Sequence, residues 1–147
     1  MNTDKVKIIA EAGVNHNGSL RLAHELIDKA SEIKADAIKF QTFITEKNIS
    51  KNTPLAGHHE ANLEEKISHY DLIKKLELPL ENFKELKKHS EENKIEFIST
   101  PYDIFSAKYL IDLGVDFIKI ASSEMTNFPL LDVVSKSNIP IILSTGM

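Results

Sequence analysis

Hydrophobic positions along this chain alternate between a period of two and a period near 3.6, and that rhythm lays out the elements. Residues 7–12, Lys7-Ile8-Ile9-Ala10-Glu11-Ala12, read as a buried strand. The turn cluster 15–19 ends in Ser19, a good helix N-cap, and Leu20, Ala23, Leu26, Ile27, Ala30 and Ile33 then recur at helical spacing. A second strand is expected over 37–43. Residues 44–78 are irregular: 48–59 mixes Asn, Thr, Pro, Gly and His and reads as loop, and Tyr70, Leu72, Ile73 and Leu76 suggest a short helix. Pro79 opens a clearer helix with Leu80, Phe83 and Leu86 on its apolar stripe. A third strand covers 95–100, and a helix capped by Asp103 and stopped by Gly114 follows. A fourth strand covers 115–121. A helix capped by Asn127, with Pro129 in its first turn, leads to a fifth strand over 139–143.

Strands alternating with helices build parallel βα units. Two architectures fit: a doubly wound sheet and a (β/α)8 barrel. No G-x-G-x-x-G follows the first strand, which counts against a dinucleotide-binding sheet. No near-identical repeat is seen. A barrel needs eight strands and roughly 250 residues, and five strands are visible in 147 residues. From the residues alone the chain is therefore α/β and either a five-stranded open sheet or the first five strands of a truncated (β/α)8 barrel. In the second case residues 1–147 would be the amino-terminal portion of one barrel domain.

Composition narrows the chemistry. The net charge is −4, so nothing resembles the basic footprint of a nucleic-acid or anionic-membrane binder. A small anion remains open, because it needs only a local cluster of cations. There is no cysteine, which excludes disulfides, thiolate metal sites and cysteine nucleophiles. No run of eighteen apolar residues occurs, and the polar start Met1-Asn2-Thr3-Asp4-Lys5 lacks a signal-peptide core. These features point to a cytoplasmic protein with no membrane or nucleic-acid partner.

The strand interiors are apolar and their ends polar, the asymmetry with which α/β proteins build a site at the carboxyl ends of their strands. Alternation puts Ala37, Lys39 and Gln41 on one face of strand two, and Phe117, Lys119 and Ala121 on one face of strand four. Lysine is almost never buried without a partner. Lys39 and Lys119 inside apolar strands therefore mean either satisfied ion pairs, for example with Glu11, or an anion site. Phosphate is the favoured anion. Thr100, Ser122, Ser123 and Ser144 add hydroxyls at strand ends. Glu11 and Glu124 are the carboxylates placed where a general acid or base must sit. His16 reads as a turn residue rather than a metal ligand, since no second histidine stands at ligand spacing. His58-His59 reads as a solvated or lid pair, and the charged run 84–94 as a solvated helix face.

Five segments in register go further: 8–18 (Ile-Ile-Ala-Glu-Ala-Gly-Val-Asn-His-Asn-Gly), 38–43 (Ile-Lys-Phe-Gln-Thr-Phe), 99–103 (Ser-Thr-Pro-Tyr-Asp), 118–124 (Ile-Lys-Ile-Ala-Ser-Ser-Glu) and 143–147 (Leu-Ser-Thr-Gly-Met). Together they closely resemble the amino-terminal part of the sialic acid synthase family, which includes N-acetylneuraminate, legionaminic and pseudaminic acid synthases. The resemblance implies a (β/α)8 barrel that condenses phosphoenolpyruvate with an N-acylated amino sugar such as N-acetylmannosamine, releasing phosphate. It implies a divalent metal, Mn2+ or Mg2+, whose ligand histidines belong to a part of the family's barrel that this chain does not include. It also implies a homodimer and a following antifreeze-like domain. On matching positions, Lys39, Thr100, Lys119, Ser122 and Ser144 resemble phosphoenolpyruvate-binding residues supported by Gln41, and Glu11 and Glu124 resemble the catalytic acids. On this reading the chain by itself is not expected to turn over. The alternatives are a 3-deoxy-ketoacid phosphate synthase on the same barrel, and a non-catalytic fragment that binds an anion or a partner subunit.

Overall fold

The computed structural model describes residues 6–53 and 67–146. Five parallel strands, β1 (Ile9–Gly13), β2 (Ala37–Thr42), β3 (Glu96–Pro101), β4 (Phe117–Ile120) and β5 (Ile141–Leu143), lie side by side in sequence order in one sheet. A doubly wound sheet reverses its strand order at a switch point, whereas consecutive parallel neighbours are the topology of a barrel wall. The sheet is thus an arc of five consecutive barrel strands. Several observed strands are shorter than their hydrophobic runs: β1 begins at Ile9 rather than Lys7, β4 spans Phe117–Ile120 and β5 spans Ile141–Leu143. Lys7 instead pairs with Glu96 at 2.5 Å and sets its ammonium over the Phe117 ring, so its charge is used twice beyond the strand.

The outer face is covered by helices α1 (Leu20–Glu32), α4 (Leu80–Glu92), α5 (Ile104–Leu113) and α6 (Phe128–Ser135). Ile38, Phe40, Phe97, Ile118 and Ile120 of the sheet meet Ile27, Phe83, Leu86, Leu110 and Leu130 of the helices in one core cluster. Each fully buried side chain of this size contributes about 1.5–3 kcal/mol of apolar transfer. The caps are those expected: Ser19 Oγ accepts from Leu22 N, Asp103 from Ser106 N, and Asn127 from Leu130 N, while Gly114 ends α5 in the left-handed region. The charged run 84–94 does line the outside of α4, save for buried Leu86 and Ser90, and borders a concavity of about 530 Å³ remote from the strand ends.

Among the described residues the irregular stretch holds the short helices α2 (Thr45–Asn48) and α3 (His69–Leu76). They are tied together. Glu77 accepts from Thr45 N at 2.9 Å and Thr45 Oγ1 at 2.5 Å, and Glu46 accepts from Tyr70 Oη at 3.0 Å and pairs with Lys74 at 3.1 Å. A hydrogen bond from its own backbone N–H, then those from Lys74 and Tyr70, lower the Glu46 carboxyl to about 2. His58 and His59, with most of the expected loop, lie outside the described residues. Among the described residues no helix is long and apolar enough to cross a membrane.

Candidate anion site at the strand ends

The inner face of the sheet is divided along its length. Its lower part is apolar: Ala37, Ile98 and Phe117 pack with Ile9 and Ile142. The register then carries Glu11 alongside Lys39, and Gln41 alongside Thr100. Lys119 stands two residues beyond Phe117, which pairs with Ile98, so it shares that face and level with Thr100. Glu11, Lys39, Gln41, Thr100 and Lys119 therefore stand above an apolar floor toward the carboxyl end, while Glu96, on the same face, stands at the amino end of β3 and pairs with Lys7.

Lys39 forms an ion pair with Glu11; its side chain is 15% exposed and that of Glu11 51%. Of the two alternatives left open by the sequence, the ion pair exists, and it sits in the candidate site rather than apart from it. Lys119 differs. Its ammonium donates to the Ile120 carbonyl at 2.6 Å, and the Ser144 backbone N–H donates to that same oxygen at 3.1 Å, which brings the end of β5 against the lysine. Burial lowers the Lys119 pKa first, the Lys39 charge lowers it further, and Glu11 opposes both. The two lysines thus act on each other across one face. Thr100 is 2% exposed and its hydroxyl has no hydrogen-bond partner among the described residues. An unpaired buried hydroxyl costs about 1–3 kcal/mol, so Thr100 Oγ1 is a free donor held in place.

Gln41 and Glu11 meet over Gly13. A Cβ built on Gly13 would lie 3.1 Å from Glu11 Oε1 and 3.5 Å from Gln41 Nε2, and the register slips between Glu11 and Gly13 as β1 ends. Ser122 and Glu124 belong to a single 3-10 turn after β4, Ser122 exposed and Glu124 half-buried. Asn127 Nδ2 donates to Glu124 Oε2 at 2.7 Å, holding that carboxylate against the start of α6. Its charge and that of Glu11 both reach Tyr102, whose phenol is pushed up chiefly by burial. Tyr102, overlooked from sequence, therefore lies in the field of both candidate acids.

The two lysines have a common origin that the sequence does display. Ala35-Asp36-Ala37-Ile38-Lys39 and Val115-Asp116-Phe117-Ile118-Lys119 follow one pattern. In each, the aspartate lies before the strand and accepts from the backbone of the preceding strand: Ile8 N to Asp36 Oδ2 at 2.8 Å, Phe97 N to Asp116 Oδ2 at 2.9 Å. The same helix-to-strand joint thus ties both strands to the one before and sets both lysines on the inner face. A search for near-identical repeats misses it because only the tie and the lysine recur.

His16 is a turn residue, as expected. It is buried, its Nδ1 accepts from Gly18 N at 3.1 Å, and burial lowers its pKa to about 4, so it is neutral. Among the described residues no three His, Asp or Glu side chains come together as a metal site. This face is suited to holding a small polyanion by two cations and a hydroxyl, beside two carboxylates able to move protons.

Relatives share this class of architecture and more. Residues 26–147 match the NeuB family, and the chain belongs to it. It is 45% identical over 140 residues to the N,N'-diacetyllegionaminic acid synthase of Legionella pneumophila, covering 95% of this chain and 39% of that protein. It is also 45% identical over 143 residues to the synthase of the same name from Campylobacter jejuni, covering 97% and 43%. The crystal structure of an N-acetylneuraminic acid (sialic acid) synthetase from Leptospira borgpetersenii, in complex with citrate, is 36% identical and superimposes with a TM-score of 0.80 over 97% of this chain and 46% of that one. The chain spans about two fifths of the length of the curated relatives it matches.

Proposed function

We propose that this chain carries the phosphoenolpyruvate-binding part of a nonulosonic (sialic-type) acid synthase. The observation behind this reading is the pair of inner-face lysines, Lys39 and Lys119, flanking the unpartnered hydroxyl of Thr100 at the strand ends. The relatives named for legionaminic acid synthesis, at 45% identity, support a diacylated amino sugar as the second substrate over the 3-deoxy-ketoacid phosphate alternative.

The chemistry follows from the charges. Lys119 and Lys39 hold the phosphate and carboxylate of phosphoenolpyruvate, with Thr100, Ser122 and Ser144 as hydroxyl donors and Gln41 in support. C3 of phosphoenolpyruvate attacks the aldehyde of the open-chain sugar, water adds at C2, and phosphate departs with cleavage of its C–O bond. Glu11 and Glu124 take the proton from that water and give one to the new alkoxide. Cations fixed in place stabilise the charge that builds on the departing phosphate. A divalent metal would supply polarisation of the aldehyde, but the described residues do not make a metal centre. The same reading expects a cytoplasmic homodimer.

The test has two arms. Calorimetry measures phosphoenolpyruvate binding to residues 1–147. Phosphate release is then measured in a chimera joining this chain to the remaining length of the Legionella relative, with Mn2+ or Mg2+ and N-acylated hexosamines. Binding in the first arm and a nine-carbon keto acid in the second are expected. A chimera that instead consumes only a phosphorylated aldose would transfer the chain to the other synthase class.

A further inference from the structure

The two ends of the Glu11–Lys39 ion pair are unlike. The Lys39 side chain is 15% exposed, whereas that of Glu11 is 51% exposed. The lysine is set into the wall of the sheet, and the carboxylate is the movable partner. Glu11 stands opposite Lys39 on the last regular rung of β1, and the ladder slips before Gly13 meets Phe40. Gly13, at φ +53°, leaves room for the paired position: a Cβ there would lie 3.1 Å from Glu11 Oε1, closer than ordinary contact. The Glu11 charge also reaches Lys119, where it opposes the repulsion from Lys39. One carboxylate of the chain thus faces both cations that the inner face offers, in the space where an anionic ligand would have to sit.

A phosphate or carboxylate arriving at Lys39 meets that carboxylate first. Holding both on one ammonium would set two like charges side by side at a partly buried position, where salt screens little. A half-exposed ion pair is a weak hold, and a polyanion is drawn by two cations instead of one. Resting on the reading above, we infer that Glu11 is a built-in competitor for the anion: it occupies Lys39 while the site is empty and is displaced when phosphoenolpyruvate binds. The displacement has a chemical consequence. Glu11 is one of the two carboxylates assigned to proton transfer, and while it is paired its charge is spent on Lys39. Entry of the anion releases it for that work, so the empty site is held idle and the substrate itself frees the proton-transferring group.

The test is calorimetric titration of residues 1–147 with phosphoenolpyruvate and, separately, with inorganic phosphate, in the parent, Glu11→Gln, Glu11→Ala and Glu124→Gln. Removing a side chain from a binding site ordinarily weakens binding; here both Glu11 variants should bind both anions about five- to tenfold more tightly, from the ion pair released together with the like charge removed. Glu124→Gln removes the same charge from a carboxylate that is not on Lys39 and should change affinity by less than about twofold. Thermal melts report that each variant is folded, and the two Glu11 variants make the comparison independent of either one. Unchanged or weaker anion binding in the Glu11 variants overturns the competitor. An equal gain from Glu124→Gln also overturns it, because charge at large and not the contact with Lys39 would then be responsible. Inorganic phosphate following the expected pattern without any binding of phosphoenolpyruvate would keep the competitor and overturn the functional reading. Failure of both anions to bind the parent and the Glu11 variants would overturn both.

Discussion

Lys119 lies in the electrostatic field of Lys39 and gives its ammonium protons to a backbone carbonyl, that of Ile120, while Lys39 is paired with Glu11. One of the two lysines is therefore neutralised and the other is held charged against repulsion. A protein gains nothing in stability from that arrangement. On the proposed reading it gains a site that an entering anion completes.

Lys119→Met tests that role directly. The apolar stem is kept, so packing changes little. Losing a charge-assisted contact, worth about 1.5–3 kcal/mol, should weaken phosphoenolpyruvate binding about ten- to a hundredfold. Stability should hold or rise at neutral pH, because a lysine whose folded pKa is lowered opposes folding wherever it is charged, and relief comes only as pH climbs toward 10.5. Calorimetry and urea melts read both quantities. A marked loss of stability with unchanged affinity would make Lys119 a structural residue.

The succession of strands and helices along the chain and their caps were legible because period-two and period-3.6 patterns and the side chains of Ser19, Asp103 and Asn127 act locally. The shared face of Lys39 and Lys119 was legible for the same reason, since alternation fixes it. The state of each lysine was not. Glu11 reaches Lys39 only because β1 pairs with β2 in a register that sequence alone leaves open. That Tyr102 feels the charge of Glu124 as well as Glu11 likewise depends on how the turn at Ser122–Glu124 folds back, which no periodicity encodes.

The packing of the α3 exit against the first turn depends on Gly18. It has φ +73°, and a Cβ there would lie 2.4 Å from the Lys75 carbonyl oxygen. Gly114, at φ +70°, has nothing within 4 Å of the same position. Gly114→Ala should therefore cost only the left-handed backbone term of about 1–2 kcal/mol. Gly18→Ala adds a backbone clash that only movement of α3 can relieve, so its cost in urea unfolding should exceed that of Gly114→Ala. Equal costs would mean that the turn and α3 do not touch in solution.

His16 supplies the acid limit. It is neutral when folded, with its pKa lowered by burial from 6.5 to about 4. Between those values the unfolded chain binds a proton that the folded one does not, so stability falls as pH drops from 6.5 toward 4 and is fully present above 6.5. His16→Asn keeps an acceptor for Gly18 N and removes the titration. Urea midpoints measured across that window should slope less steeply with pH in the variant than in the parent, and parallel slopes would assign the acid sensitivity to other groups.

Thr100 separates function from stability most cleanly. Its hydroxyl is buried at 2% exposure with no partner among the described residues, at the level of Gln41 and beside Lys119. Thr100→Val replaces that hydroxyl with a methyl of similar size. In a purely structural role the hydroxyl is only a desolvated group, and its removal should leave stability unchanged or raise it by about 1 kcal/mol. If the hydroxyl waits for a phosphate oxygen, the same substitution should also weaken phosphoenolpyruvate binding by about three- to tenfold, the size of one ordinary hydrogen bond. A thermal melt and a calorimetric titration on one preparation distinguish the cases. Stability held or raised with affinity lowered assigns Thr100 to the anion site. Stability lowered with affinity untouched would show that the hydroxyl bonds within the fold, and the inner-face triad of Lys39, Thr100 and Lys119 would lose its central member.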